Sequence, residues 1–235
     1  MADPLDRPVW ASLTTRHAHL AEGQGPARRY RPSVGVFVAG ADDSPATLAA
    51  MAALVEPGET VFVVQAEPGP DLPGLAPVLR RPAVQMVFAG KLAEPIDEPE
   101  IVELGEADAP EMLALATLTE PGPFRIDTRL MGRFVGLRRD GRLAAMAGER
   151  LRPPGHTELS GVCTHPDFRG QGLGTLLSAH VTRKMTERGE VPILHAWRDN
   201  HGAIALYEKL GYRVRREMAV AAFERPRARR SPANR

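Results

Sequence analysis

The stretch THPDFRGQGLGTLL, residues 164–177, places three glycines within five positions, directly before an apolar run with helical spacing. Ordered glycines cost backbone entropy, so keeping Gly170, Gly172 and Gly174 together indicates a need for bare backbone. The residues before the stretch alternate like a strand. A strand, a glycine turn and a helix N-terminus together present free N–H groups to a phosphate, and Arg169 adds a charged donor.

Two common nucleotide-binding motifs do not fit this turn. A Walker loop ends in Gly-Lys-Ser/Thr, but here Gly174 is followed by Thr175 and Leu176. A Rossmann turn needs G-x-G-x-x-G and an acidic residue at the end of the following strand, where this chain has His195 and Trp197. A tight turn that only packs a helix on a strand stays the alternative to a phosphate site.

The turn resembles the signature of the GNAT acetyltransferase superfamily, Arg/Gln-x-x-Gly-x-Gly/Ala, at residues 169–174. A second block, NHGAIALYEKLGY at 200–212, resembles the family's other motif, an asparagine followed by a helix with Leu-Tyr and a final Gly-Phe/Tyr. The resemblance covers about residues 105–223. It implies an α/β (α+β) fold with a mixed, mostly antiparallel sheet flanked by helices. The two-part layout is similar to the subgroup with an FR47-like C-terminal domain, which includes glycine N-acyltransferases.

The composition changes near residue 100. We expect a smaller, degenerate α/β accessory domain over 1–98, an acidic linker with two prolines at 92–100, the GNAT domain over 105–223 and a disordered basic tail at 224–235. The predicted strands are 33–40, 59–65, 83–90, the two arms of a hairpin within 133–151, 156–164, 191–197 and 212–223, and the predicted helices are roughly 10–21, 44–55, 108–119, the run from 173, and 202–210.

Local chemistry marks helix starts and one turn. Ser44 and Asp108 are predicted N-caps, and Glu111 closes an approximate capping box with Asp108. Asp140-Gly141 predicts a two-residue hairpin turn between apolar runs.

The resemblance implies acetyl-CoA, or another acyl-CoA, as co-substrate, with its diphosphate on the glycine turn. It also implies that the pantetheine arm runs beside the strand that ends GVCT. The expected contacts are Arg169, Gly170, Gln171, Gly172, Leu173, Gly174 and Thr175 for the diphosphate, and Val162, Cys163, Thr164 and Asn200 for the pantetheine arm.

Attack on a thioester needs a neutral amine, so a base near the acceptor can take its proton. Glu158 is the first candidate, because the family's histone-acetylating branch places its base similarly on the strand before the motif. Glu149 and His156 are alternatives, and Glu120 is a candidate for binding the acceptor amine. An exposed carboxylate without a role is the competing interpretation of Glu158.

Two further residues invite chemical roles. Tyr207 matches the family tyrosine that can protonate the departing thiolate, although a core tyrosine fits the same pattern. Cys163 invites a covalent acyl-cysteine mechanism. Strict strand alternation places Glu158, Ser160, Val162 and Thr164 on one face and turns Cys163 to the other, which favours direct transfer.

The composition excludes several protein classes. The net charge is +1, so no global field favours nucleic acid or membrane surfaces. A single cysteine excludes an internal disulfide framework, and no HExxH or similar spacing predicts a metal. No apolar stretch approaches the ~18 residues of a membrane helix, and no signal peptide is visible. We expect a cytoplasmic protein, compatible with a homodimer.

Three functions fit the sequence. The first is direct acetyl transfer from acetyl-CoA to the primary amine of a small molecule or amino acid. The second is a protein or peptide N-acetyltransferase, in which the first hundred residues recognise the target. The third is a non-catalytic acyl-CoA-binding module. The sequence does not identify the acceptor.

Overall fold

The computed structural model describes residues 3–66, 68–91 and 101–227. Its central feature is an eight-stranded sheet with the order β4-β11-β5-β10-β9-β8-β7-β6, and β1, β2 and β3 form a separate three-stranded sheet. The strands are β1 (Ala21–Glu22), β2 (Ala27–Tyr30), β3 (Val38–Gly40), β4 (Thr60–Ala66), β5 (Ala76–Phe88), β6 (Val102–Leu104), β7 (Phe134–Arg139), β8 (Arg142–Glu149), β9 (His156–Thr164), β10 (Val191–Trp197) and β11 (Tyr212–Glu224).

Helices cover the sheet. α4 packs against β8, β9 and β10, α3 packs against β8 and β9, and α5 packs against β11. β9 and β10 run parallel, and every other neighbouring pair in the described part of the large sheet is antiparallel. This arrangement confirms the predicted mixed, mostly antiparallel fold. The α-helices are α1 (Pro8–Leu13), α2 (Pro45–Ala53), α3 (Ala109–Thr119), α4 (Leu173–Glu187) and α5 (His201–Lys209).

Strand β5 begins earlier than the sequence predicts, because its first residues lie in the proline-rich passage. The strand begins at Ala76, whereas the sequence predicts a strand only from residue 83. Residues 76–82 pair with β11 alone, and β10 joins from Ala83 onward. Pro77 and Pro82 therefore lie where the strand has one neighbour, and a missing N–H costs little at such an edge.

One of the two predicted helix N-caps forms as expected, and the other does not. Ser44 Oγ accepts a hydrogen bond from Thr47 N at 3.3 Å, as predicted. The capping box of α3 is wrong, because Asp108 Oδ2 accepts from Gly105 N at 2.8 Å. Glu111 Oε1 instead accepts from the backbone N–H of a residue in β8, at 2.7 Å.

The β7–β8 turn confirms its prediction. Asp140 and Gly141 both have positive φ, 52° and 75°, as a type I′ hairpin turn requires.

Both parts of the chain contribute to the large sheet. β4 and β5 come from the first 98 residues, and both pair with β11 near the C-terminus. The predicted linker at 92–100 and most of the predicted tail, residues 228–235, lie outside the described residues. The division into two domains stays a prediction, but its boundary falls between strands of one sheet.

A buried histidine joins the two parts. The side chain of His17 is enclosed, with Nδ1 2.8 Å from Tyr30 Oη and Nε2 2.8 Å from the carbonyl of Met131. Because a carbonyl only accepts, Nε2 carries the proton and Nδ1 accepts from the phenol. Burial lowers the pKa of His17 to about 4, although the bond to Met131 opposes that shift.

We predict that His17 makes the fold sensitive to acid. In the unfolded chain an imidazole takes up its proton near pH ~6.5, whereas folded His17 does so near 4, so protons favour unfolding as the pH falls through this window. The difference in the free energy of unfolding is about 3 kcal/mol. His17→Gln keeps one donor and one acceptor but does not titrate. Urea unfolding at pH 7 and pH 4.5 should show a clearly smaller loss for the variant, and equal losses would contradict the assignment.

Candidate active site

The parallel strands β9 and β10 pair only at their beginnings. The register joins Val191 with His156, Pro192 with Thr157 and Ile193 with Glu158, and pairing ends there. Beyond this point β9 follows β8 and β10 follows β5, so the two strands separate into a wedge. The backbone edges that face the wedge are free to bond an extended ligand as an added strand would.

The glycine turn lies between β9 and α4. Gly170 and Gly172 have φ values of 78° and 75°, a left-handed conformation that glycine adopts without steric cost. A Cβ atom at either position would meet no atom within 4 Å, so the space above the turn is open.

The first turn of α4 has free donors. The first helical bond runs from Leu176 N to Gly172 O at 3.0 Å, and the N–H groups of residues 170–175 have no backbone acceptor among the described residues. The side chains of Arg169, Gln171 and Thr175 are exposed at this turn. Leu173 is buried in the core, so it offers only its N–H. A 15-residue helix that begins this way is suited to a phosphate.

A bulge in β9 changes which side chains share a face. Gly161 has a φ of 62°, and the register moves from Gly148–Ser160 to Met146–Cys163, with one extra residue on β9. Cys163 therefore shares the face of Glu158 and Ser160. The prediction from strict alternation is wrong, because it assumed an unbroken strand.

The side chains after the bulge divide between the two helices that cover β9. Val162 and Thr164 face α4, where a Cβ on Gly174 would lie 3.7 Å and 3.5 Å from them. Cys163 packs into the cluster of buried residues beside α3, and burial raises the pKa of its thiol to about 11. A buried, protonated thiol is a poor nucleophile.

A cavity of about 330 Å³ opens at the mouth of the wedge. Its walls come from the separated strands, from α5, from the segment after α3 and from the first half of the chain. The lining residues are Phe37, Phe62, Val64, Ala83, Thr119, Glu120, Pro121, Gly122, Pro123, Arg150, Leu151, Val162, His195, Ala196, Trp197, Asn200, Ala203, Tyr207 and Val220.

Helix α5 brings two predicted site residues to this cavity. Asn200 caps the helix, because its Oδ1 accepts from Ala203 N at 3.1 Å. The ring of Tyr207 lies edge-to-face with Tyr212 at 5.9 Å. Burial raises the pKa of Tyr207 to about 12, so the phenol stays protonated at neutral pH. Its hydroxyl has no hydrogen-bond partner among the described residues.

Glu158 is completely buried behind the cavity. Arg150 donates to it twice, from Nε to Oε2 at 2.9 Å and from Nη2 to Oε1 at 2.8 Å. Leu151 N donates to Oε2 at 3.1 Å, and His195 Nδ1 lies 2.8 Å from Oε1. Each carboxylate oxygen thus accepts two hydrogen bonds, which leaves no free acceptor position.

These contacts fix the charge of Glu158. Burial alone would raise the pKa of its carboxyl group, but Arg150 and His195 outweigh burial and hold the pKa well below its usual range. The residue does not line the cavity. Its geometry therefore does not favour the predicted role of general base.

The other base candidates differ in where they lie. Glu149 is buried and paired with Arg188 at 2.6 Å, and His156 Nδ1 lies 2.8 Å from Pro154 O, so neither faces the cavity. Glu120 does line the cavity. It ends α3 with φ 49° and ψ 54°, a left-handed conformation that strains a residue with a side chain.

Sequence reasoning missed several cavity residues. Arg150, Phe37 and Phe62 carry no motif, and the joining of β4 and β5 to the large sheet brings the first half of the chain to the site. The described residues contain no group of three or more His, Cys, Asp or Glu side chains able to hold a metal ion. None of the described helices is long and apolar enough to cross a membrane.

Comparisons with known proteins agree with this geometry. A sequence model of the FR47-like protein family matches residues 134–220. A crystal structure from Novosphingobium aromaticivorans, assigned to the GNAT family of acetyltransferases, is 45% identical, covers 94% of this chain and 98% of its own, and has a TM-score of 0.88.

Two curated relatives match shorter segments. An acetyltransferase of Pectobacterium atrosepticum is 42% identical over 50 residues, 20% of this chain and 35% of that protein. The ribosomal protein bS18-alanine N-acetyltransferase of Salmonella typhimurium is 38% identical over 74 residues, 31% and 49% respectively. The matched part of the chain spans half or less of these two relatives.

The separated strands, the glycine turn and the similarity to the Novosphingobium structure define the class of the protein as an acetyltransferase. The chain belongs to the GNAT family.

We predict that Glu158→Gln destabilises the fold. The substitution leaves the buried Arg150 guanidinium without its counter-charge, and breaking a buried pair in this way typically costs about 3–5 kcal/mol. Glu217→Gln is a matched control, because Glu217 pairs with Arg198 on the surface and should cost less than about 1 kcal/mol. Guanidinium unfolding at pH 7 measures both values. A loss for Glu158→Gln as small as the control's would contradict the charged pair.

Proposed function

We propose that this chain transfers an acetyl group from acetyl-CoA to the primary amine of a small molecule or amino acid, by direct attack of the amine on the thioester. The observation that carries the proposal is the cavity at the mouth of the β9–β10 wedge, whose lining combines Val162 of β9 and Tyr207 of α5 with Glu120 from the segment after α3. Family membership supports acetyl transfer in general.

The glycine turn is suited to the diphosphate of coenzyme A, and the wedge is suited to its pantetheine arm. The open N–H groups of residues 170–175 and the exposed Arg169 would hold the diphosphate. The pantetheine arm would run along the free edge of β9 at Val162, Cys163 and Thr164, with Cys163 contributing only its backbone. Asn200, whose Oδ1 is used in capping α5, has its amide N–H groups left to donate.

We assign the binding and deprotonation of the acceptor amine to Glu120. Among the carboxylate and imidazole groups considered from the sequence, Glu120 lines the cavity and Glu158 does not. A carboxylate there can bind an ammonium group and accept its proton, directly or through one water. The neutral amine then attacks the thioester carbon, the C–S bond of the tetrahedral intermediate breaks, and the nitrogen gives its extra proton to the departing thiolate, so that an amide and coenzyme A are formed. Glu158 in this account is a positioning residue that orients Arg150 and His195.

We assign assistance of the leaving group to Tyr207. Its phenol lines the same cavity, stays protonated and lacks a competing partner among the described residues. A thiol with an ordinary pKa near ~8.5 leaves without absolute need of a proton, so a phenol that donates a hydrogen bond to the sulfur lowers the barrier by a moderate amount. The presence of Tyr207 and Glu120 in one cavity favours an enzyme over a module that only binds acyl-CoA.

The size of the cavity favours a small acceptor. About 330 Å³ must take both the reacting end of the donor and the acceptor. A peptide or protein N-terminus is the second candidate, favoured by the partial similarity to the enzyme that acts on bS18 alanine.

Coenzyme A binding is tested at the glycine turn. Gly172→Val adds a branched side chain where the phosphates would lie, and we expect the affinity for acetyl-CoA to fall at least about 100-fold, because donor contacts are lost together with the space. Gly189→Val is the control, because Gly189 follows the opposite end of α4, has φ 74° and equally open surroundings. The two substitutions thus introduce similar backbone strain. Isothermal titration calorimetry that gives both variants the same affinity would contradict the assignment.

The role of Glu120 is tested by comparing activity with stability. Glu120→Gln keeps the size of the side chain and should lower turnover by about 10²–10⁴-fold, with acetyl-CoA affinity unchanged. Glu120→Gly should also lose activity but gain up to about 1 kcal/mol in the free energy of unfolding, since glycine relieves the left-handed strain.

Asp140→Gly is the control for that gain. Asp140 is the other described non-glycine residue with positive φ, and it lies in the β7–β8 turn. The Asp140→Gly variant should gain stability and keep full activity. Retention of more than half the wild-type turnover by Glu120→Gln would refute the assignment.

A further inference from the structure

We propose that Arg150 determines acceptor specificity by binding a carboxylate on the acceptor, so that the substrates are amino acids with apolar side chains and not simple amines. This inference rests on the proposed acetyl transfer to an amine. It follows from how Arg150 is held and from what surrounds it in the cavity.

One edge of the Arg150 guanidinium is fixed and another is free. Nε and Nη2 bind the carboxylate of Glu158, as described above. Nη1 has no acceptor among the described residues, and it lies 3.8 Å from the position that a Cβ on Gly122 would take in the cavity wall. The side chain is only 13% exposed, and the guanidinium carbon lies 5.1 Å from the centre of the Phe37 ring.

An arginine that is held rigidly and still has free N–H donors is suited to binding a carboxylate. A guanidinium presents five N–H donors in a planar fork, and a second carboxylate can bind the edge that Glu158 leaves open. The Phe37 ring and Glu158 hold the fork in one orientation, so little side-chain entropy is lost on binding. Glu120, which lines the same cavity, offers the complementary site for an ammonium group. Together they match a zwitterion.

The rest of the wall is apolar. Phe37, Phe62, Val64 and Val220 line the cavity on the side built by the first half of the chain and β11. An acceptor bound by its amine and carboxylate would lay its side chain against this wall. Burial of an apolar group is worth about 25 cal/mol per Å², so this wall favours an apolar side chain over a polar one.

Three acceptors that differ in one group test the proposal. Phenylalanine, phenylalaninamide and phenethylamine share an amine and a phenyl ring, but only the first carries a carboxylate. We expect the wild-type protein to prefer phenylalanine over each of the others by at least about 100-fold in kcat/KM. Arg150→Lys keeps the positive charge toward Glu158 but loses the planar fork, and should reduce both preferences at least about tenfold.

The ratio of kcat/KM values within one variant does not depend on how much of that variant is folded. Arg152→Lys is the matched control, because Arg152 pairs with Glu190 and lies outside the cavity lining, so its ratios should equal those of the wild type.

Each other outcome has a defined meaning. Equal use of phenylalanine and phenethylamine, or unchanged ratios in Arg150→Lys, would overturn the role of Arg150 and leave the proposed acetyl transfer intact. Equal use of phenylalanine and its amide would overturn the carboxylate preference, because an uncharged group would then serve as well. Acetylation of none of the three, with acetyl-CoA affinity intact, would contradict the proposed function as well.

Discussion

The site depends on the separation of β9 from β10, and a chain of buried polar contacts lies where the separation begins. Arg150 binds Glu158, and Glu158 accepts from His195 across the base of the wedge. His195 Nε2 lies 3.0 Å from Gln85 Nε2, which can only donate, so His195 carries its proton on Nδ1 toward Glu158. Arg215 Nη1 donates to Gln85 Oε1 at 2.9 Å.

This polar chain crosses the middle of the sheet. Its members come from the end of β8 and from β9, β10, β5 and β11, which are neighbours in space but distant in sequence. Buried polar groups are costly when one partner is lost, so the chain has one favourable arrangement. That arrangement fixes the position of the branching strands and of the Arg150 fork together. The cavity therefore takes its shape from the interior of the sheet and not from its loops.

The sequence predicted the strands and helices around the proposed donor site well. The glycine turn, β9, β10 and α5 depend on local patterns, and their bounds match the prediction to within a residue or two. The acceptor side was not predictable in this way. Gly161 shifts the register of β9 by one residue, and nothing in the alternating sequence marks that bulge. Glu158 was predicted to be the general base, because the sequence gives no local signal of its pairing with Arg150, which lies beyond a turn.

The first half of the chain shows the same limit. Because of Pro77 and Pro82, the sequence did not predict the beginning of β5. The pairing of β5 with β11, through which the first half of the chain joins the large sheet, was therefore not predicted either. Long-range pairing also brings Phe37 and Phe62 to the acceptor wall. Local propensity predicts elements, whereas contacts between residues more than a hundred positions apart decide which of them form the cavity.

The central claim is that the wedge and the glycine turn form one continuous donor site that ends at the cavity. A crystal structure of the protein with acetyl-CoA tests it directly. The account predicts that the diphosphate bonds N–H groups between Gly170 and Thr175, that the pantetheine arm lies between β9 and β10, and that the thioester is within reach of Tyr207. A donor bound elsewhere, or a wedge closed by pairing of β9 with β10 beyond Glu158, would contradict it.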